Sequence, residues 1–162
     1  MKRLLLTLGL CLSAIPATSY AHRCSKENAA AETVTIRYLG NDEAQAKIFS
    51  QEGRYELRNQ SRISLSFAVY TKYALPVLYP MDTTVQIQNT EGGWSDNVLS
   101  LSHYEAPDKV LRIKPGGSFQ FFADTRDSAD KDYRLGIRTP KGCWFYSAPF
   151  RFEHTKRKVS GS

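Results

Sequence analysis

The sequence is short of the groups that usually announce chemistry. Its 162 residues include three histidines, three cysteines and two methionines, so a metal or redox centre has few side chains to draw on. No CxxC or HExxH string sets any of them at metal-ligand spacing. GxSxG, Walker-loop and EF-hand strings are missing as well. The carboxylates are dispersed over loops and exposed strand positions and read as solvated faces. These absences point away from an enzyme and from a resident cofactor.

Long apolar runs are equally scarce. One exists, residues 4–15, and it is too short for a stable membrane anchor. It follows Lys2 and Arg3 and is followed by Ser19 and Ala21, the small residues a signal peptidase needs. Residues 1–21 therefore read as an export signal, and the destination as periplasmic or secreted. Leu10 in front of Cys11 argues against a lipid anchor. Cleavage leaves about 140 residues, one domain's worth, with no further run of membrane length. We expect a domain over 22–152 and a flexible basic tail over 153–162. Losing Lys2 and Arg3 lowers the formal charge from +6 to +4, 20 basic against 16 acidic residues. That excess is spread thinly apart from "KRK" at 156–158, which excludes a nucleic-acid footprint.

Helical periodicity is missing too. Only "KENAAAE" at 26–32 has helix-forming composition. Elsewhere apolar residues recur at every second position. "RISLSFAVY" alternates Ile63, Leu65, Phe67 and Val69 with small polar residues, and "DYRLGIR" does the same with Tyr133, Leu135 and Ile137. Similar runs hold Val34 and Ile36, Tyr55 and Leu57, Val85 and Ile87, and Phe119 and Phe121. "KVLRIK" pairs Val110 or Leu111 with Ile113, and "CWFYSAPFRF" reads as one last strand. Turn signals such as "EGG" at 91–93, "KPGG" at 114–117 and "TPKG" at 139–142 separate the runs. One-sided alternation with no crossover helix predicts an all-β fold, two antiparallel sheets packed face to face.

Three stretches narrow this further. "LRIKPGGSFQFFAD" is similar to a strand entry of exported bacterial immunoglobulin-like domains, and "YSAPFRF" to their closing strand. "DSADKDYRLGI" resembles the step before a late strand, where Tyr133 would form a tyrosine corner. The chain thus resembles immunoglobulin-like and fibronectin type III-like sandwiches. The resemblance implies an antiparallel β-sandwich of about seven to nine strands. It carries no activity, because this architecture hosts many functions.

Two cysteines survive cleavage, Cys24 and Cys143. In an oxidising compartment the simplest reading is a disulfide, the alternative being two buried thiols. The bridge would close a loop of about 120 residues, contributing up to ~4–5 kcal/mol on chain-entropy grounds. It would tie the mature N-terminus to the last strand, unlike the central bridge of antibody domains.

Two features suggest binding. Cleavage after Ala21 makes His22 the first residue, offering an amine and an imidazole together. With His103 or His154 it would resemble the histidine brace of lytic polysaccharide monooxygenases and periplasmic copper carriers, which implies a copper site. The second feature is "VYTKYALPVLYPMD" at 69–82. Pro76 and Pro80 imply an edge or a loop, where Tyr70, Tyr73 and Tyr79 would present a partner surface or else close one end of the core. Trp94 is a further candidate for that surface. Trp144, beside Cys143, is expected to pack on the bridge. Asn59-Gln60-Ser61 reads as turn chemistry.

The sequence therefore predicts an exported, non-catalytic binding or interaction module for protein or cell-envelope material. A copper protein using His22 is one alternative. A periplasmic inhibitor or immunity protein against an envelope-acting enzyme is another.

Overall fold

The computed structural model describes residues 33–42, 53–96, 104–125 and 130–153. The expected export signal, His22, Cys24, His103 and the tail from His154 onward lie outside these residues. Ten strands run through the described residues. They are β1 (Val34–Asn41), β2 (Gly53–Asn59), β3 (Leu65–Tyr70), β4 (Val77–Leu78), β5 (Thr83–Gln88), β6 (Trp94–Asp96), β7 (Lys109–Ile113), β8 (Ser118–Ala123), β9 (Tyr133–Arg138) and β10 (Trp144–Tyr146). A 3-10 turn, Pro80–Asp82, leads into β5. No helix among the described residues is long and apolar enough to cross a membrane.

The strands form two sheets, one ordered β1-β2-β8-β4-β3-β7 and the other β10-β9-β5-β6. The chain is all-β, as the alternation predicts. The strand total exceeds seven to nine because two strands, β4 and β6, are only two and three residues long. Such pieces are too brief to show a period in sequence.

Two expectations are corrected by β4. First, the large sheet is not wholly antiparallel: β4 runs parallel to β8 through the single pair Val77↔Phe122. The cause is the reversal after β3. The chain turns back through 71–76 and pairs Tyr70 with Val77 and Val69 with Leu78, which gives β4 the direction of β8. Second, the stretch between the prolines is not confined to an edge or a loop, since β4 lies inside the sheet. Pro76 and Pro80 fall just outside the paired residues, so neither Val77 nor Leu78 loses its N–H. Pro76 still serves the ladder through its carbonyl, which accepts the Phe122 N–H at 2.9 Å.

One buried cluster draws on both sheets. Tyr55, Leu57, Leu65, Phe67 and Phe121 come from the large sheet, and Val85, Tyr133, Leu135, Ile137 and Phe145 from the small one. Each fully buried aliphatic or aromatic side chain contributes roughly 1.5–3 kcal/mol. Of the pair the sequence left open, Leu111 packs against this core and Val110 faces out. The last strand is shorter than "CWFYSAPFRF" suggests. Strand β10 ends at Tyr146, and Phe150 returns to pair with Tyr133 as an isolated bridge. There the chain closes over β1: Tyr38 stacks on Phe150 at 4.9 Å and meets Phe152 edge-on at 5.3 Å.

Asn59 at the end of β2 is fully buried, 0% exposed. Its side-chain amide donates to the carbonyls of Ile63 and Ile113 at 2.8 and 3.1 Å. Its carbonyl oxygen accepts from the backbone N–H and hydroxyl of Ser61. The expected turn role is real, and it is the side chain that fills it, tying the end of β2 to the start of β3 and the end of β7.

Candidate binding interface

The sequence nominated Tyr70, Tyr73, Tyr79 and Trp94. The structure brings the three tyrosines together and leaves Trp94 elsewhere. Alternation along β3, β4 and β8 sends Val69, Leu78 and Phe121 into the main core and Tyr70, Val77 and Phe122 to the opposite face of the sheet. Tyr73, Leu75 and Tyr79 fold over that trio as a second small cluster. Tyr70 is 8% exposed, meets Tyr79 edge-on at 6.0 Å, and donates its hydroxyl to the Glu105 carbonyl. Burial first, then the neighbouring Tyr79 and Glu105, pushes its phenol pKa up. The tyrosines thus form a small cluster of their own on the outer face of the large sheet, with Tyr70 buried and Tyr73 and Tyr79 half-buried.

The copper reading falls on His22, His103 and His154, all outside the described residues. Among the described residues no three His, Cys, Asp or Glu side chains gather as a metal site. Cys143 is buried at 2% exposure just before β10, and its proposed partner Cys24 lies outside the described residues.

Trp94 belongs to a different assembly, on the outer face of the small sheet. Strand β9 buries Tyr133, Leu135 and Ile137, so Arg134, Gly136 and Arg138 must face out. Strand β10 buries Phe145, so Trp144 and Tyr146 face out beside them. The register sets Trp144 opposite Arg138 and Tyr146 opposite Gly136. Across the other side of β9, Arg134 pairs with Gln86 of β5, and Gln88 of the same strand pairs with Trp94 of β6.

These side chains form a continuous stack. The Arg138 guanidinium lies 5.6 Å from the Trp144 ring centre. Trp144 and Tyr146 are nearly parallel, 17° apart with centres at 6.1 Å. The Arg134 guanidinium lies 4.2 Å from Tyr146 and 4.5 Å from Trp94. Each cation–ring contact at such an exposed site contributes about 0.5–1 kcal/mol. Gly136 makes room for the stack: a Cβ there would sit 2.7 Å from Cε1 of Tyr146. The Tyr146 ring therefore rests on bare backbone.

Polar bonds fix both cations. Arg134 Nε donates to Gln86 Oε1 at 2.7 Å, and Gln86 Nε2 donates to Asp96 Oδ1 at 2.8 Å. Thr84 donates its hydroxyl to the same Asp96 oxygen at 3.0 Å. Arg138 Nε donates to Asp82 Oδ1 at 2.9 Å, and its terminal nitrogen to the Met81 carbonyl at 2.9 Å. Arg138 thus meets Asp82 directly and Arg134 reaches Asp96 through Gln86, so two cations share the face with two anions. Trp144 packs on Tyr146 and Arg138 on this face; the bridge it is expected to pack on involves Cys24, outside the described residues.

The arrangement bears on ligand class. Tyr146 lies between Trp144 and Arg134, and Arg134 lies between Tyr146 and Trp94. Tyr146 is thus held between neighbours and still 39% exposed. Immobilised Tyr, Trp and Arg side chains are the types enriched at the energetic centres of protein interfaces.

No protein-family model and no curated protein matches the chain. One solved structure, the X-ray structure of Northeast Structural Genomics Consortium target SoR45, aligns over 80% of this chain and 89% of its own at 15% identity, with a TM-score of 0.25. A likeness at that level carries no argument about fold or function.

Proposed function

We propose that this chain is an exported, non-catalytic binding module that engages a protein of the periplasm or cell envelope through the outer face of its small sheet. The observation that carries the reading is the Arg138–Trp144–Tyr146–Arg134–Trp94 stack, a solvent-facing aromatic row already rigid before any partner arrives. Rigidity lowers the entropy lost on binding, which favours affinity. An inhibitor or immunity protein is the form of this reading in which the partner is an envelope-acting enzyme. An immunoglobulin-like sandwich and a Cys24–Cys143 bridge belong to the same proposal. Two sheets on one shared core support the first, and the burial of Cys143 supports the second.

The test is capture of a defined polypeptide from periplasmic extract by wild type but not by Tyr146→Ala, with both proteins folded by thermal melt. Equal capture by both proteins, or capture of none, rejects the interface. Selective binding to a glycan array rejects the protein class of ligand.

A further inference from the structure

We propose that β7, the edge of the large sheet, adds an acidic extended segment of a partner protein as a further strand. It is a second surface, independent of the small-sheet face.

Among the described residues, strand β7 ends its sheet and pairs only with β3, from Leu65↔Ile113 to Val69↔Lys109. An edge strand leaves alternate backbone N–H and C=O groups turned outward, ready to extend the ladder. The side chains along this edge are unusual. Val110 is 56% exposed, more than any other large apolar side chain described. Lys109, Arg112 and Lys114 are all exposed around it, and none makes an ion pair among the described residues. Asp108, next to Lys109 in the chain, accepts the Thr71 N–H at 2.9 Å and its hydroxyl at 3.1 Å and keeps its charge. Three cations against that one anion leave residues 108–114 net cationic, with one apolar anchor.

Charged edges commonly guard against unwanted pairing. This guard is selective by sign. A second copy docked β7 against β7 would set cations against cations, and like charges across a ladder destabilise it. An acidic strand with an apolar residue over Val110 meets opposite charges and extends the same hydrogen bonds. Charge complementarity thus picks the occupant.

The probe is a short fluorescent peptide alternating Glu and Val, titrated into the full chain by anisotropy. The expected result is saturable binding, about tenfold or more tighter than for the Lys–Val counterpart. N-methylation of alternate peptide nitrogens should weaken binding by a similar factor, because it removes the ladder donors while leaving the charge. Lys109→Glu with Arg112→Glu should reverse the preference between the two peptides. Equal binding of the N-methylated peptide reduces the effect to surface charge and overturns strand addition, as does no binding of the acidic peptide. Either failure leaves the small-sheet interface untouched, since Tyr146→Ala should not alter peptide binding.

Discussion

The Arg134 guanidinium lies 4.2 Å over the ring of Tyr146, a residue on the neighbouring strand and twelve positions along the chain. The same guanidinium reaches Trp94 at 4.5 Å, so one side chain couples three strands of the small sheet. Replacing Arg134 by Ala removes two cation–ring contacts and the bond to Gln86. The expected cost is ~1–2 kcal/mol of stability, read by urea denaturation. Partner affinity should fall by more, about thirtyfold, if the stack is the energetic centre of the interface.

Gly136→Ala tests the stack from below. The new methyl would meet Tyr146 Cε1 at 2.7 Å and Thr84 Cγ2 at 2.9 Å. Tyr146 must then leave its seat, with an expected loss of about 1–3 kcal/mol. In a Tyr146→Ala background the Thr84 contact remains but the ring contact is gone. The same Gly136 change should then cost clearly less, and a full double-mutant cycle measures the difference.

Asn59→Ala should be among the most damaging single changes available. It takes the Asn59 amide from the Ile113 and Ile63 carbonyls, leaving the latter the Ser61 hydroxyl, and removes the acceptor of the Ser61 N–H in a buried corner. We expect ~2–4 kcal/mol of destabilisation, visible as a drop in thermal midpoint. Asn59→Asp keeps the acceptor and loses the donors, so it should recover only part.

Alkaline stability should depend on Tyr38. Burial, reinforced by the charge of Glu153 and opposed by that residue's backbone hydrogen bond, raises its phenol pKa from 10.0 to about 12. The neutral phenol is therefore favoured in the fold. Its contribution is complete below pH 10, the unfolded value, and is lost as pH rises towards 12. Ultraviolet titration should show one tyrosine ionising later than the exposed ones. Tyr38→Phe should flatten the decline in stability across that window, while leaving its slope below pH 10 unchanged.

The bridge is tested by mass. Oxidised mature protein should weigh two hydrogens less than the reduced form and give a Cys24–Cys143 cross-linked peptide on digestion. Reduction should lower stability by up to ~4–5 kcal/mol. Free thiols that react with alkylating agents in the unfolded, unreduced protein would remove the bridge from the account.

Much of the fold was legible because burial on one side imposes a period of two. Ile36, Leu57, Phe67, Leu135 and Ile137 are all buried where alternation put them. The small sheet's outer face was legible in principle by the same rule. An inward Phe145 forces Trp144 and Tyr146 outward, just as Leu135 does for Arg134. What the sequence hides is register. Nothing local says that Tyr146 sits beside Gly136 or that Trp94 shares an arginine with it, because those neighbours are set by pairing across the sheet. The tyrosines of 69–82 were harder still, since their burial depends on a two-residue strand too short to leave a pattern.

That two-residue strand has a mechanical consequence. Among the described residues the ladders β1-β2-β8 and β4-β3-β7 share one paired position, Val77 with Phe122. Asn59 fastens them a second time, its amide holding the carbonyls of Ile63 and Ile113. The large sheet is therefore two ribbons pinned at two points, with the Tyr70 cluster capping one pin on the outer side. Parting the ribbons requires both pins to give, while each ribbon keeps every rung of its own.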